Sequence, residues 1–135
     1  MDQAAIVHAF FDHLADGAID EWMALLSPDI IADTPFAPDP QPRRFEGSIA
    51  VRHRFGNARE RMQLLEFYDR EIHHTNEGLV VATCRSRGVL GDARPYENMY
   101  CWIFTLSDNA GSGNPGSDNV ISHWVEYFDP LQLPS

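Results

Sequence analysis

The chain has 135 residues, 44% of them hydrophobic, and a formal charge of −10, with arginine supplying all ten basic residues. This length and apolar content predict one domain spanning 1–135, and no apolar run approaches the roughly 20 residues that cross a bilayer. The negative charge argues against nucleic acid and anionic membranes as partners, because both carry phosphate. The absence of lysine excludes Schiff-base and P-loop chemistry, since each needs an amine.

The N-terminal part of the chain predicts two helices and a strand. Residues 3–16 place apolar side chains at helical spacing, with Asp2 as a candidate N-cap and Gly17 as a candidate stop. A short helix capped by Asp20 follows and ends before Pro28, and residues 30–34 predict a strand. The acidic start of the chain lacks the basic segment of a signal peptide, so we expect a cytoplasmic protein.

A proline-rich loop at 35–47 leads into a third predicted helix at 48–64. An arginine of the pair Arg43-Arg44 could bind a ligand carboxylate over a cavity, although a solvent-exposed pair balancing Glu46 and nearby aspartates is the favoured interpretation. The helix itself is rich in arginine, which we interpret as a solvated face. These arginines are Arg52, Arg54, Arg59 and Arg61.

The rest of the chain predicts β structure. Strands are expected at 66–75, 79–90, 94–106 and 120–130, with a hairpin turn at 76–78 and a long loop at 108–119. The order of elements predicts an α+β fold with helices covering one face of an antiparallel sheet. Cys84 and Cys101 would lie nearly opposite each other in a hairpin; reduced, buried thiols are favoured over a cross-strand disulfide.

Several short motifs together resemble SnoaL-like and ketosteroid-isomerase-like proteins of the nuclear transport factor 2-like superfamily. They are Ala15-Asp16-Gly17, Leu26-Ser27-Pro28-Asp29-Ile30, Pro35-Phe36-Ala37-Pro38, Arg43-Arg44-Phe45-Glu46-Gly47, Tyr96-Glu97-Asn98 and Glu126-Tyr127-Phe128-Asp129-Pro130. The resemblance implies a cone of cystatin-like architecture, with a strongly curved antiparallel sheet wrapped around three N-terminal helices and enclosing one apolar cavity. It also implies a homodimer through the outer face of the sheet. Because this fold hosts isomerases, cyclases, epoxide hydrolases and non-catalytic binders, function must be argued from the site.

The polar groups of ketosteroid isomerase chemistry are missing at the positions that the resemblance implies. The base falls on Thr34, the helical tyrosine on Phe10 and the late-strand aspartate near Trp102. Asp33 is one residue from the base position, which turns its side chain to the opposite face of a strand. Isomerisation by that triad is therefore disfavoured, and Thr34, Phe10 and Trp102 are predicted to contact ligand instead.

The period of two along the last two strands separates an inner face from an outer one. The inner set is predicted to be Asn98, Tyr100, Trp102 and Phe104 on one strand and Ser122, Trp124, Glu126 and Phe128 on the other. Glu126 is then a carboxyl group in an apolar pocket, where burial raises its pKa towards neutrality. The resemblance extends to phenazine-biosynthesis proteins of this family, in which the corresponding glutamate is implicated as a general acid.

We therefore predict a small-molecule-binding protein whose candidate catalytic residue is Glu126. Its candidate ligand-binding residues are Asn98, Tyr100, Trp102, Trp124, Phe128, Thr34 and Phe10. The expected ligand is a small apolar or aromatic molecule, and the expected chemistry is proton transfer in an isomerisation, cyclisation or dehydration. No metal or cofactor is expected, since no metal-ligand spacing or phosphate-binding loop is present.

Three alternatives stay open at this point. The same cavity could serve a non-catalytic carrier or dimeric accessory protein, with Glu126 paired to an arginine or tyrosine or placed at a dimer interface. Asn98 could bond backbone near a strand end instead of a ligand carbonyl. Epoxide hydrolysis would need an Asp–Arg–Asp group, for which Asp33 and Asp69 are available but no inward arginine is evident.

Overall fold

A computed structural model describes residues 2–107 and 119–133, and its first elements are two helices. Helix α1 (Gln3–Asp16) begins where the Asp2 carboxylate accepts a 2.7 Å hydrogen bond from the Ala5 N–H, and it ends at Gly17, whose φ of 72° is left-handed. The predicted cap and stop are both confirmed. Helix α2 (Ile19–Met23) starts after Ala18, so Asp20 lies in its first turn and is not its cap.

The third helix has an uneven winding. It consists of α3 (Ser48–Val51), a π-helical segment (Arg52–Gly56) and α4 (Asn57–Glu60). It stops before the predicted residue 64 because the chain from Met62 onwards pairs with a neighbouring strand. That pairing depends on Gly88, since a Cβ at this position would lie 2.3 Å from the Leu64 carbonyl oxygen.

Six strands form one curved, unclosed sheet, which confirms the α+β cone fold. They are β1 (Leu26–Asp33), β2 (Arg44–Glu46), β3 (Met62–His74), β4 (Leu79–Leu90), β5 (Pro95–Ser107) and β6 (Val120–Phe128), in the order β2-β1-β6-β5-β4-β3. Neighbouring strands are antiparallel except β1 and β6, which run parallel, so the sheet is mixed. A short 3-10 helix (Pro130–Gln132) follows β6, and the predicted loop at 108–119 lies outside the described residues except for Asn119.

An aromatic cluster packs α1 against the inner face of the sheet. Phe10 is fully buried at its centre, with ring centroids 5.1 to 5.5 Å from those of Phe104, Trp124 and Trp102 in edge-to-face contacts. Three of the inner positions predicted from the period of two, Trp102, Phe104 and Trp124, thus pack against the helix. No helix within the described residues combines the length and apolar character needed to span a membrane.

The two cysteines lie on neighbouring strands but on opposite faces. Cys84 of β4 is opposite Tyr100, whereas Cys101 of β5 is opposite Thr83. Both thiols are free, with Cys84 buried and Cys101 partly exposed. The cross-strand disulfide considered from the sequence is excluded by this one-residue offset, because the two Cβ atoms point away from each other.

Candidate functional site

A pocket of about 390 Å³ lies between the third helix and the inner face of the sheet. Its wall comes from the end of α1, the loop after β1, the third helix, strands β3 to β6 and the C-terminal segment. The lining side chains include Thr34, Gln41, Arg54, Phe55, Arg59, Arg61, Phe67, Tyr96, Tyr100, Trp102, Glu126 and Phe128. Aromatic rings therefore form much of the wall, with a few polar groups among them.

Glu126 is the acidic residue in this wall. It lies on β6 directly opposite Trp102 of β5, and only 8% of its surface is exposed. Its Oε1 atom has no hydrogen-bond partner among the described residues, and the same is true of the neighbouring Trp124 indole N–H. Burial raises the pKa of Glu126 to about 8. The nearby Trp124 indole N–H, although not placed well enough for a hydrogen bond, and the positive charge of Arg54 act in the opposite direction. The carboxyl group is therefore mostly protonated at neutral pH.

Two tyrosines of β5 lie beside the glutamate. The Tyr100 hydroxyl is 2.9 Å from the Ser86 Oγ, and the Tyr96 hydroxyl accepts a 2.9 Å hydrogen bond from the Asn98 Nδ2. Burial raises the pKa of both phenols, and the nearby Glu126 raises them further. Both hydroxyls consequently stay neutral near physiological pH and can donate or accept hydrogen bonds.

The Asn98 side chain, which was predicted to bind a ligand, makes its hydrogen bonds within the protein. Its Nδ2 donates to the Tyr96 hydroxyl and the Asp129 carbonyl, and its Oδ1 accepts from the Met99 and Asp129 N–H groups. The side chain is 4% exposed and lies outside the pocket wall. Its amide joins the start of β5 to the end of β6, which is the alternative considered from the sequence.

The other predicted ligand-binding residues divide into two groups. Thr34, Tyr100, Trp102 and Phe128 line the pocket. Phe10 and Trp124 are fully buried in the aromatic cluster and do not form part of the wall, because α1 packs directly over them. Ligand contact by any of these side chains stays a prediction.

The third helix supplies arginines that the sequence assigned to a solvated face, and for two of them that interpretation is wrong. Arg59 is partly buried and donates to the carbonyl oxygens of Leu14, Ala15 and Met62. Arg54 lines the pocket and donates a 2.9 Å hydrogen bond to Gln41 Oε1. Arg52 does lie on the surface, where it pairs with Asp20. Both Arg54 and Phe55 belong to the π-helical segment, a feature often found at functional sites.

The second carboxylate considered from the sequence, Asp33, lies on the outer face. It accepts hydrogen bonds from Arg44 at 2.8 Å and pairs with His123 Nε2 at 2.7 Å. The Arg44 guanidinium, and to a lesser degree His123, lowers the pKa of Asp33. Arg43 bonds the Ala37 carbonyl and pairs with Asp39, so the Arg43-Arg44 pair balances local aspartates as favoured above.

Within residues 2–107 and 119–133, no three side chains among histidine, cysteine, aspartate and glutamate are grouped as a metal site. No aspartate of that part of the chain lines the pocket. The Asp–Arg–Asp arrangement needed for epoxide hydrolysis is therefore not assembled from Asp33 and Asp69.

Comparison with known families agrees with the α+β fold. The profile of the SnoaL-like domain matches residues 7–111. The chain belongs to the SnoaL-like family. Among curated proteins, none matches the sequence significantly.

Several solved structures share the fold of this SnoaL-like chain. A provisionally assigned isomerase from Bacillus subtilis has 18% identity and a TM-score of 0.81, over 95% of this chain and 86% of its own. A provisionally assigned polyketide cyclase from Xanthomonas campestris pv. campestris has 18% identity and a TM-score of 0.73, over 95% and 90%. A phenazine biosynthesis-related protein from Pseudomonas aeruginosa has 15% identity and a TM-score of 0.71, over 96% and 80%. At these identities the likeness shows the shared fold.

Proposed function

We propose that this SnoaL-like protein binds a small, largely apolar cyclic molecule and catalyses a proton transfer on it, as in an isomerisation or cyclisation. Glu126 is the acid/base group. The observation that carries the proposal is the unpaired Oε1 of Glu126, buried in an aromatic wall where the carboxyl pKa is about 8. A group with such a pKa can hold a proton and release it near neutral pH.

The surrounding groups support this role. Tyr96 and Tyr100 are neutral hydroxyl donors close to Glu126, so they can bind a carbonyl oxygen of the ligand while the carboxyl group moves a proton at the adjacent carbon. Trp102 and Phe128 offer flat apolar surfaces against which a ring can pack. The structural likeness to an isomerase and a polyketide cyclase is consistent with chemistry of this class.

The test uses a cyclic β,γ-unsaturated ketone, whose conversion to the conjugated isomer is followed by ultraviolet absorbance. In D₂O, deuterium uptake next to the carbonyl reports proton transfer even where isomerisation is slow. We expect the wild-type protein to accelerate exchange and the Glu126→Gln variant to lose about 10²- to 10⁴-fold of that acceleration, the range typical of general acid–base catalysis.

The control is Glu97→Gln, which changes an exposed glutamate of β5 and should leave the rate unchanged. A Glu126→Gln protein that keeps the full wild-type rate would exclude Glu126 as the acid/base group. Binding of the ketone without any exchange in the wild type would instead favour the carrier function, in which the same pocket holds a ligand without chemistry.

A further inference from the structure

The net charge of the pocket wall is opposite in sign to the net charge of the whole protein. The chain carries a formal charge of −10, yet three of its ten arginines, Arg54, Arg59 and Arg61, line the pocket. The acidic residue facing them in the described part of the chain is Glu126, which is mostly protonated at neutral pH. The pocket is therefore positively charged in an otherwise acidic molecule, and such a field favours an anionic ligand.

The three arginines are not equally available to a ligand. Arg59 is held by three backbone carbonyl groups, through which it fastens the end of α1 to the start of β3. Arg61 is exposed at the edge of the pocket. Arg54 is half-buried, and its guanidinium lies 5.6 Å from the centre of the Phe45 ring. Of the three, Arg54 is partly buried and also has nitrogen atoms left to bind a ligand, since it donates to Gln41 through Nη2.

The partner of Arg54 in the free protein is a neutral amide. Its Nη2 donates to Gln41 Oε1, and within the described residues no carboxylate lies at salt-bridge distance from it. By contrast, Arg52, two residues earlier, pairs with Asp20 at 2.6 Å on the surface. A guanidinium prefers a carboxylate in a two-point contact, so a carboxylate-bearing ligand would satisfy Arg54 better than Gln41 does.

The positions of Arg54 and Glu126 define two polar ends of one apolar pocket. Both side chains line it together with Tyr100 and Trp102. Because both side chains line one pocket of about 390 Å³, a small ligand can contact both. A ligand that fits would have a ring between an anionic group and a carbonyl or hydroxyl oxygen.

We propose that Arg54 is the specificity-determining residue of this pocket and binds a carboxylate group of the substrate, which makes small cyclic or aromatic carboxylic acids the substrate class. This inference rests on the proposed function for the reaction at Glu126, but it concerns binding and can be measured separately. Gln41 holds the Arg54 side chain in place before the ligand arrives.

The experiment measures binding by the fluorescence of the tryptophans, one of which, Trp102, forms part of the wall. The probes are benzoate, naphthalene-2-carboxylate and the neutral 2-naphthamide, which has nearly the same shape as the second probe. We expect the wild type to bind naphthalene-2-carboxylate at least tenfold more tightly than the amide. Arg54→Gln should lose that preference, and Arg54→Lys should retain part of it because the charge remains.

Arg52→Gln is the matched control, since it removes a surface arginine from the same π-helical segment and should keep the wild-type preference. Circular dichroism and thermal unfolding establish that each variant is folded. The proposal is overturned if the wild type binds neither carboxylate at millimolar concentration, binds amide and carboxylate equally, or if Arg54→Gln keeps the preference.

The two proposals fail in different ways. If proton transfer is wrong but the ligand class is right, carboxylate preference depends on Arg54 while no exchange is catalysed. If the ligand class is wrong but the chemistry is right, Glu126→Gln abolishes exchange in the neutral ketone while no variant shows a carboxylate preference. If Arg54 binds the carboxylate, Glu126→Gln should keep the preference for it, whether or not the wild type catalyses exchange.

Discussion

Two carboxylates on adjacent strands of one sheet show opposite behaviour. Asp33 of β1 lies opposite Val125 of β6, one residue before Glu126. Because side chains alternate along a strand, this offset puts Asp33 on the outer face and Glu126 on the inner one. Arg44 lowers the pKa of Asp33, whereas burial raises the pKa of Glu126 to about 8.

The difference shows that the available partners, and not the residue type, decide which carboxylate can act as an acid/base group. Asp33 has a guanidinium and an imidazole within hydrogen-bond distance, so its charged form is stabilised. Glu126 has a buried oxygen without a partner, so its neutral form is favoured. A carboxyl group that stays protonated at neutral pH is suited to donate a proton to a bound molecule.

The largest expected effect is that of Glu126→Gln, which removes the ionisable carboxyl group from the inner face of the sheet. The pKa of Glu126 is about 8 in the folded protein against an ordinary value of 4.5, so the folded state binds the proton more tightly. The resulting stability is fully present below the ordinary value and is lost as the pH rises through about 8. Relative to the variant, we expect the wild type to lose at most about 5 kcal/mol of unfolding free energy across this range.

Urea unfolding of both proteins from about pH 5 to about pH 9 measures this difference, and every other titrating group cancels between them. Glu97→Gln, at an exposed position of β5, again serves as the control for replacing a glutamate by glutamine. A difference between wild type and Glu126→Gln that does not change with pH would mean that Glu126 titrates normally, and the comparison with Asp33 would no longer hold.

A smaller effect is expected on the outer face from Asp33→Asn. The substitution weakens charge-assisted hydrogen bonds to Arg44 and His123, both partly exposed to solvent, so we expect a loss of about 1 kcal/mol at neutral pH. Since the pKa of Asp33 is lowered, its contribution is present above the ordinary value of 3.8 and lost as the pH falls through the folded value.

On lowering the pH, wild type should therefore lose stability relative to Asp33→Asn, whereas it should gain stability relative to Glu126→Gln. Denaturant unfolding at neutral and acidic pH measures this contrast. Glu46→Gln is a suitable control, because that exposed carboxylate lies 3.8 Å from the same Arg44. If Glu46→Gln lost as much stability as Asp33→Asn, the loss would not be specific to the Asp33 ion pair, and any carboxylate near Arg44 would contribute equally.

Much of the fold was predictable because it depends on local patterns. Asp2 and Gly17 bound α1 through cap geometry, and the alternation in β5 and β6 placed Glu126 on the inner face. The alternation did fail at Ser122, where an irregular pairing with β5 lets Ile121 and Trp124 both turn inward. Bulges of this kind depend on the partner strand and leave little signal in the sequence.

The site was less predictable because its polar contacts are long-range. Asn98 bonds the Asp129 backbone 31 residues later, and Arg59 bonds Leu14 and Ala15, 45 and 44 residues earlier. Nothing in the local sequence distinguishes Arg54 from Arg52, although one lines the pocket and the other pairs on the surface. The π-helical winding also changes the angular spacing that a regular helix would predict.

The smallest expected effect is a difference in reactivity between the thiols of Cys84 and Cys101, which lie on opposite faces of neighbouring strands. No change in stability is involved. Burial raises the pKa of the Cys84 thiol to about 12, so its reactive thiolate is scarce, whereas Cys101 is partly exposed on the outer face. We expect a disulfide reagent to titrate one thiol per native chain and the second in denaturant, and Cys101→Ser to abolish the native reaction.

Protection of Cys101 that disappears on dilution would support the predicted homodimer through the outer face. Rapid reaction of Cys84 in a native Cys101→Ser chain would contradict the assignment of faces, since the inner thiol would then be open to solvent.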